Sequence, residues 1–142
     1  MVALFNVNVL IALIDSAHKF HHTVKDWALE NGSSGWASCP LTQNGCIRII
    51  TQPGYLRPAS MQQAIQTLQT LCESPHHEFW PDDLSLLDAA AFDHSKIHGH
   101  RQLTDLYLLG LAVKHQGRFV TLDGAVPLNA VKGAKKHHLT AL

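Results

Sequence analysis

The length of the strand-like runs constrains this fold more than any other feature. Val2–Phe5, Trp36–Cys39, His77–Trp80 and Arg118–Leu122 span four or five residues each, long enough for a buried strand and too short for a helix. The stretches between them carry helical signals. Asn6, a favoured N-cap, precedes the apolar stretch Val7–Ile14, and His18–Glu30 places Phe20, Val24 and Trp27 at helical spacing before a stop at Asn31-Gly32. Pro40 stands where a helix begins, and Leu41–Thr51 reads as helix until Gln52-Pro53-Gly54 breaks it. Ser60 can cap a helix whose apolar stripe is Ala64, Ile65, Leu68, Leu71 and Cys72. Leu86–His94 reads as a short helix, and Leu103–His115, apolar on nearly every face, as a centrally packed one. A turn at Asp123-Gly124 ends the fourth strand, and His138–Leu142 reads as a last short strand. Short strands separated by helices predict an α/β fold, with a parallel sheet covered on both faces. In such sheets ligands bind outside the carboxyl ends of the strands.

Composition agrees and excludes other classes. At 142 residues, 46% hydrophobic and 15% charged, the chain predicts one globular domain over residues 1–142 and is too apolar for a disordered segment. Its longest apolar runs, Val9–Ile14 and Leu106–Val113, fall far short of the roughly 20 residues that span a bilayer. The first residues lack a basic region and a cleavage site, so a soluble cytoplasmic protein is expected. Cys39, Cys46 and Cys72 are odd in number and lack CxxC spacing, which predicts buried thiols rather than a disulfide framework or zinc knuckle. Neither a Gly-x-Ser-x-Gly elbow nor a Gly-rich phosphate loop is present.

Charge is unevenly placed along a chain whose net charge is zero. Residues 1–95 carry four Lys and Arg against nine Asp and Glu, whereas residues 96–142 carry seven against only Asp105 and Asp123. A basic third suits a polyanion-facing surface, and equally a solvated face with a Lys-rich loop.

Three polar residues fall at the expected ligand-binding rim. Asn6 ends the first strand, Asp123 ends the fourth, and Asp105 opens the central helix. Each has an ordinary structural explanation: a cap for Asn6, a turn for Asp123, a favourable helix dipole for Asp105. Together, two carboxylates converging in basic and apolar surroundings repel each other unless a cation or proton lies between them. Oxygen-only ligands select Mg²⁺ or Mn²⁺ rather than zinc.

Five segments carry a resemblance that runs in order along essentially the whole chain: Val2–Leu13 (VALFNVNVLIAL), Trp36–Arg48 (WASCPLTQNGCIR), Phe79–Asp82 (FWPD), Gly99–Tyr107 (GHRQLTDLY) and Arg118–Asp123 (RFVTLD). They resemble PIN domains of the VapC toxin ribonucleases. The resemblance implies an α/β/α sandwich, hydrolysis of RNA phosphodiesters with Mg²⁺ or Mn²⁺, a VapB-type antitoxin and a homodimer. The four acids of that family fall on Asn6, Gln43, Asp105 and Asp123, so two positions carry amides. Gln43 keeps an oxygen that can ligate or orient water. Asn6 keeps the shape and cap of an aspartate and deletes its charge, which fits either a deliberately disarmed nuclease or an attenuated natural copy. Each unit-charge pair at about 4 Å is worth ~4 kcal/mol at an effective dielectric of 20, so cation affinity should suffer. In the unmodified mechanism Asn6, Asp105 and Asp123 are the metal positions, Thr104 caps its helix or orients a water, and Lys96, Arg101 and Arg118 meet phosphates.

The remaining chemistry-bearing residues read as structural. His18, His21 and His22 have zinc-compatible spacing but no nearby acid or cysteine, and His94, His98 and His100 scatter around a glycine-containing loop. Trp27, Trp36 and Trp80 sit in apolar contexts as core, and Asp82, Asp83 and Asp88 cap or flank the Leu86–His94 helix. The competing class is a non-catalytic module that binds an antitoxin helix or RNA on the same fold.

Overall fold

A computed structural model describes residues 1–142. Five strands, β1 (Ala3–Phe5), β2 (Trp36–Ser38), β3 (His77–Phe79), β4 (Arg118–Thr121) and β5 (Leu139–Ala141), form one parallel sheet in the order β3-β2-β1-β4-β5. Five α-helices connect them: α1 (Val7–Ile14), α2 (His21–Asn31), α3 (Pro40–Ile50), α4 (Met61–Cys72) and α5 (Leu103–Lys114). The last predicted strand, near the C-terminus, is β5, paired along β4 from Phe119↔Leu139 to Thr121↔Ala141.

Alternation along each strand divides the core into two. Ala3, Phe5, Trp36 and Val120 face α1, α2, α3 and α4, while Leu4, Ala37 and Phe119 face α5 and the segments around Phe92 and Val131. With both faces buried, the sheet is the middle layer of an α/β/α sandwich. Helix α5 is covered almost all round, its Leu106, Leu108, Leu109 and Leu111 fully buried, which is why its sequence shows so weak a polar face.

Local chemistry sets the helix starts. Asn6 Oδ1 accepts from the Val7 N–H at 2.8 Å. Ser60 and Gln63 exchange side-chain and backbone bonds at 3.1 and 3.0 Å, a capping box that begins α4. Thr42 Oγ1 accepts from the Cys39 N–H at 3.0 Å behind Pro40 at the head of α3. On α3, Gly45 lies against Val7: a Cβ there would meet Val7 Cγ2 at 2.7 Å, so only glycine lets α3 approach α1 this closely.

Two expectations need correction. Leu86–His94 is not a helix. Ser85, Asp88 and Asp93 each accept the backbone N–H two residues on, from Leu87, Ala90 and Ser95, and these turns compete with helical bonding. The segment runs as turns to Phe92, which bridges Val131, and then into a short 3₁₀ turn at His94–Lys96. Likewise α2 starts at His21 rather than His18, because Asp15 and His18 accept from Ala17 and Phe20 and hold the chain in turns. Asp82 and Asp83 serve other elements: Asp82 accepts from the Leu41 N–H at the start of α3, and Asp83 pairs with Lys114 and His115. Trp36 and Trp80 are core, whereas Trp27 is half-buried.

Candidate active site at the carboxyl rim of the sheet

Topology places one crevice at the ligand-binding rim. From β1 the chain moves outward through β2 to β3 on one side and through β4 to β5 on the other, so the order reverses between β1 and β4. Ligands of open parallel sheets bind at such a reversal. Asn6 follows β1 there and Asp123 follows β4. Helix α5 leads directly into β4, so it runs back across the sheet and its first turn, with Asp105, stands at this same rim.

The side chains converge around a buried carboxamide. Asn6 is 6% exposed; its Nδ2 donates to Thr121 Oγ1 at 2.9 Å and to Asp105 Oδ1 at 3.3 Å. Its Oδ1 is taken by the Val7 N–H, so the amide's orientation is fixed by chemistry: an N–H needs the oxygen and a carboxylate needs the NH₂. Thr121 Oγ1 also accepts from the Asp123 N–H at 3.1 Å and from Asn8 Nδ2 at 3.5 Å. Asn8 Oδ1 in turn accepts from the Leu122 N–H at 3.3 Å, tying α1 to the end of β4. Burial, reinforced by the charge of Asp123, pushes the Asp105 carboxyl above the usual carboxylate range.

Sequence reasoning missed Thr121 and Asn8. Both lay two residues from a predicted site residue, and with side chains alternating along a strand the spacing Thr121 to Asp123 already marked them for one face.

Other predicted residues are placed apart. Gln43, half-buried on α3, bonds none of the three; its Nε2 donates to Ser38 Oγ at 2.9 Å. Arg101 is exposed in the 3₁₀ turn before α5, and Lys96 is exposed and 3.6 Å from Asp93. Thr104 is exposed inside the first turn, the cap position being Gln102. Arg118 opens β4, and four residues of strand carry the chain about 13 Å away before the rim is reached. Its guanidinium lies 4.8 Å above the Trp27 ring and reaches Asn31 Oδ1, so it is a packing residue at the amino end of the sheet. No cluster of three or more His, Cys, Asp or Glu side chains is placed to hold a metal. All three cysteines are free.

The donor chemistry fits a hard cation through two residues. Asp105 and Asp123 are a carboxylate pair, one of them half-buried and held partly against ionisation, which a divalent ion would relieve. Asn6 presents N–H groups, not oxygen, to Asp105.

No family model matches this sequence. Individual proteins do. Ribonuclease VapC44 of Mycobacterium tuberculosis is 47% identical over 142 residues, the whole of both chains. Ribonuclease VapC39 of the same organism is 37% identical over 94% of this chain and 96% of its own length, and Ribonuclease VapC29 is 38% identical over 89% of each. Among solved structures, a chain in VapBC2 from Rickettsia felis bound to a promoter DNA fragment superposes with a TM-score of 0.64 at 12% identity, covering 100% of this chain and 99% of that one, a likeness of fold. With a sandwich built on a parallel sheet, an acid pair at its reversal and nearly half its residues shared end to end, the chain belongs to the VapC ribonucleases.

Proposed function

We propose that this chain is the toxin of a toxin–antitoxin pair, an endoribonuclease that hydrolyses RNA phosphodiester bonds with Mg²⁺ or Mn²⁺ and is attenuated by Asn6. The observation that carries the reading is the meeting of Asp105 and Asp123 around Asn6 at the reversal of the sheet. Asp105 and Asp123 would hold the cation through carboxylate oxygens. When bound, a divalent ion lowers the pKa of its water and offsets charge developing on the phosphate. The protein contributes placement. Thr121 anchors Asn6 and the Asp123 backbone, and Asn6 steers Asp105 while capping α1. An aspartate in place of Asn6 would keep the shape and the cap on Val7, could not donate to Thr121 or Asp105, and would add a charge that faces Asp105 until a cation lies between them.

Arg101 and Lys96, exposed in the segment leading into α5, are the cations that would meet RNA phosphates. The partners are a VapB-type antitoxin, RNA, and a second copy of this chain as a homodimer. No helix is long and apolar enough to cross a membrane, and a cytoplasmic site of action follows from the RNA substrate. A non-catalytic binding module is the weaker reading, because the relatives aligned along the whole chain are ribonucleases.

The test is cleavage of tRNA and total cellular RNA by the chain and by Asn6→Asp, each with Mn²⁺, Mg²⁺ or EDTA. Cleavage by the Asp form that EDTA stops is the expected result. Equal cleavage by both forms in EDTA would overturn the acid-pair chemistry, and RNA binding without cleavage by either would support the module.

A further inference from the structure

A second polar chain starts at the same rim and runs back between β2 and β3 to the amino end of β3. Ser38 Oγ, fully buried at the end of β2, accepts from Gln43 Nε2 at 2.9 Å and lies 2.8 Å from His77 Nε2 on the edge strand β3. The Trp36 ring packs on the imidazole at 4.4 Å, and Cys72 Sγ is 3.8 Å from the serine oxygen. Gln43 and Cys72 also line a cavity of about 210 Å³ between α3 and α4, with Asn44, Ile47, Ile65 and Leu68.

Donor counting gives this chain a direction. The Gln43 NH₂ can only donate, so the Ser38 oxygen accepts from it; in the neutral His77 tautomer whose ring N–H faces the Cys72 backbone, Nε2 is bare and takes the Ser38 proton. Protonating His77 makes Nε2 a donor and reverses that bond. The Ser38 proton then needs a new acceptor. Cys72 Sγ is distant and weak, whereas Gln43 Oε1 becomes available if the carboxamide turns over. We infer that Ser38 and His77 are positioning residues for Gln43, and that the charge on His77 selects whether Gln43 turns its carbonyl oxygen or its NH₂ away from Ser38. The carbonyl can orient a water or cation, and the NH₂ can meet a phosphate oxygen. The functional consequence rests on reading Gln43 as part of the ribonuclease site.

The surroundings of His77 set the direction in which its titration is moved. Burial holds His77 below the ordinary imidazole value, opposed by the Cys72 backbone and the charge of Glu78 on the same strand. From β2 only the neutral Ser38 and Trp36 face the ring, and from α4 the thiol and backbone of Cys72. Burial also pushes the Cys72 thiol upward, so it stays uncharged while His77 titrates.

Side-chain amide resonances of Gln43 in the ¹⁵N-labelled chain, followed from pH 8 to pH 4.5, test this directly. The expected result is a shift of the Gln43 NH₂ signals with the same midpoint as the His77 ring protons. In Ser38→Ala, His77 should still titrate and Gln43 should cease to follow; in His77→Gln the Gln43 response should vanish. Gln43 signals that stay flat while His77 titrates would overturn the inference. In an Asn6→Asp background, the RNA cleavage rate should gain an acid limb at that midpoint, and His77→Gln should remove it. If that background does not cut RNA, the ribonuclease reading fails while the amide titration still decides the relay.

Discussion

Two of the carboxamides at the rim of the sheet, Asn6 and Gln43, are secured the same way. Asn6 donates to Thr121 Oγ1 and Gln43 to Ser38 Oγ, each at 2.9 Å and each to a buried hydroxyl at the end of a strand. What lies beyond differs. The second N–H of Asn6 goes to a carboxylate, Asp105, which faces another, Asp123, so this site is governed by net charge. Beyond Ser38 stands an imidazole, so that site is governed by pH. One backbone arrangement thus supports two kinds of control, set by the third residue of each chain of bonds.

Asn6→Asp should separate the two sites most strongly. Adding one charge beside the acid pair brings ~4 kcal/mol for each unit charge of the cation at about 4 Å and an effective dielectric of 20, enough to raise affinity at least roughly a thousandfold. Calorimetric titration with Mn²⁺ should show tight binding for the variant and little for the parent chain. In EDTA the variant should melt lower, because three carboxylates would then face one another. Gln43→Glu, the matching change at the other amide, should leave Mn²⁺ affinity far less altered, since Gln43 makes no bond to Asp105 or Asp123.

Asp105→Asn should act in the opposite direction on stability. The Asp105 carboxyl is raised in the fold, so the folded state binds its proton more tightly than the unfolded chain does. Its ionisation therefore costs stability above the folded value, and stability recovers as pH falls through that value toward the ordinary carboxylate range. In metal-free buffer near pH 7 the variant should melt higher than the parent chain and lose this part of the pH dependence. Equal melting curves at pH 4.5 and pH 7 for both proteins would contradict the burial argument.

Smaller effects separate the two hydroxyls. Thr121→Val removes the acceptor of three N–H donors and should cost about 1–3 kcal/mol in urea unfolding, the penalty for buried donors left unpaired. Ser38→Ala strands fewer and should cost less. Smallest of all, Arg118→Ala should lose about 0.5–1 kcal/mol of stability with the Trp27 stack and leave the salt dependence of RNA binding unchanged. Arg101→Ala should flatten that salt dependence.

Those last two variants mark where the sequence misleads. Charge showed a basic third, and both arginines belong to it. Only their places along the chain separate them: Arg118 begins a strand, Arg101 precedes a helix that begins at the rim. Strands were legible because each is short and flanked by caps and breakers, and the acid pair was legible because strand ends and the start of α5 converge in a parallel sheet. The segment Leu86–His94 was not, since its apolar spacing suits a helix and only the side-chain turns of Ser85, Asp88 and Asp93 defeat it. The Ser38–His77 contact was beyond sequence as well. It depends on register between β2 and β3, which pairs Trp36 with His77 across 41 positions of chain and leaves Ser38 beside the ring.

Gly45 joins these two regions. It seats α3 directly on Val7, the residue whose N–H holds Asn6, and it lies two positions from Gln43. Both carboxamides are therefore mounted on one hinge-free joint. A methyl group there would act as a wedge between α3 and α1, displacing both amides at once.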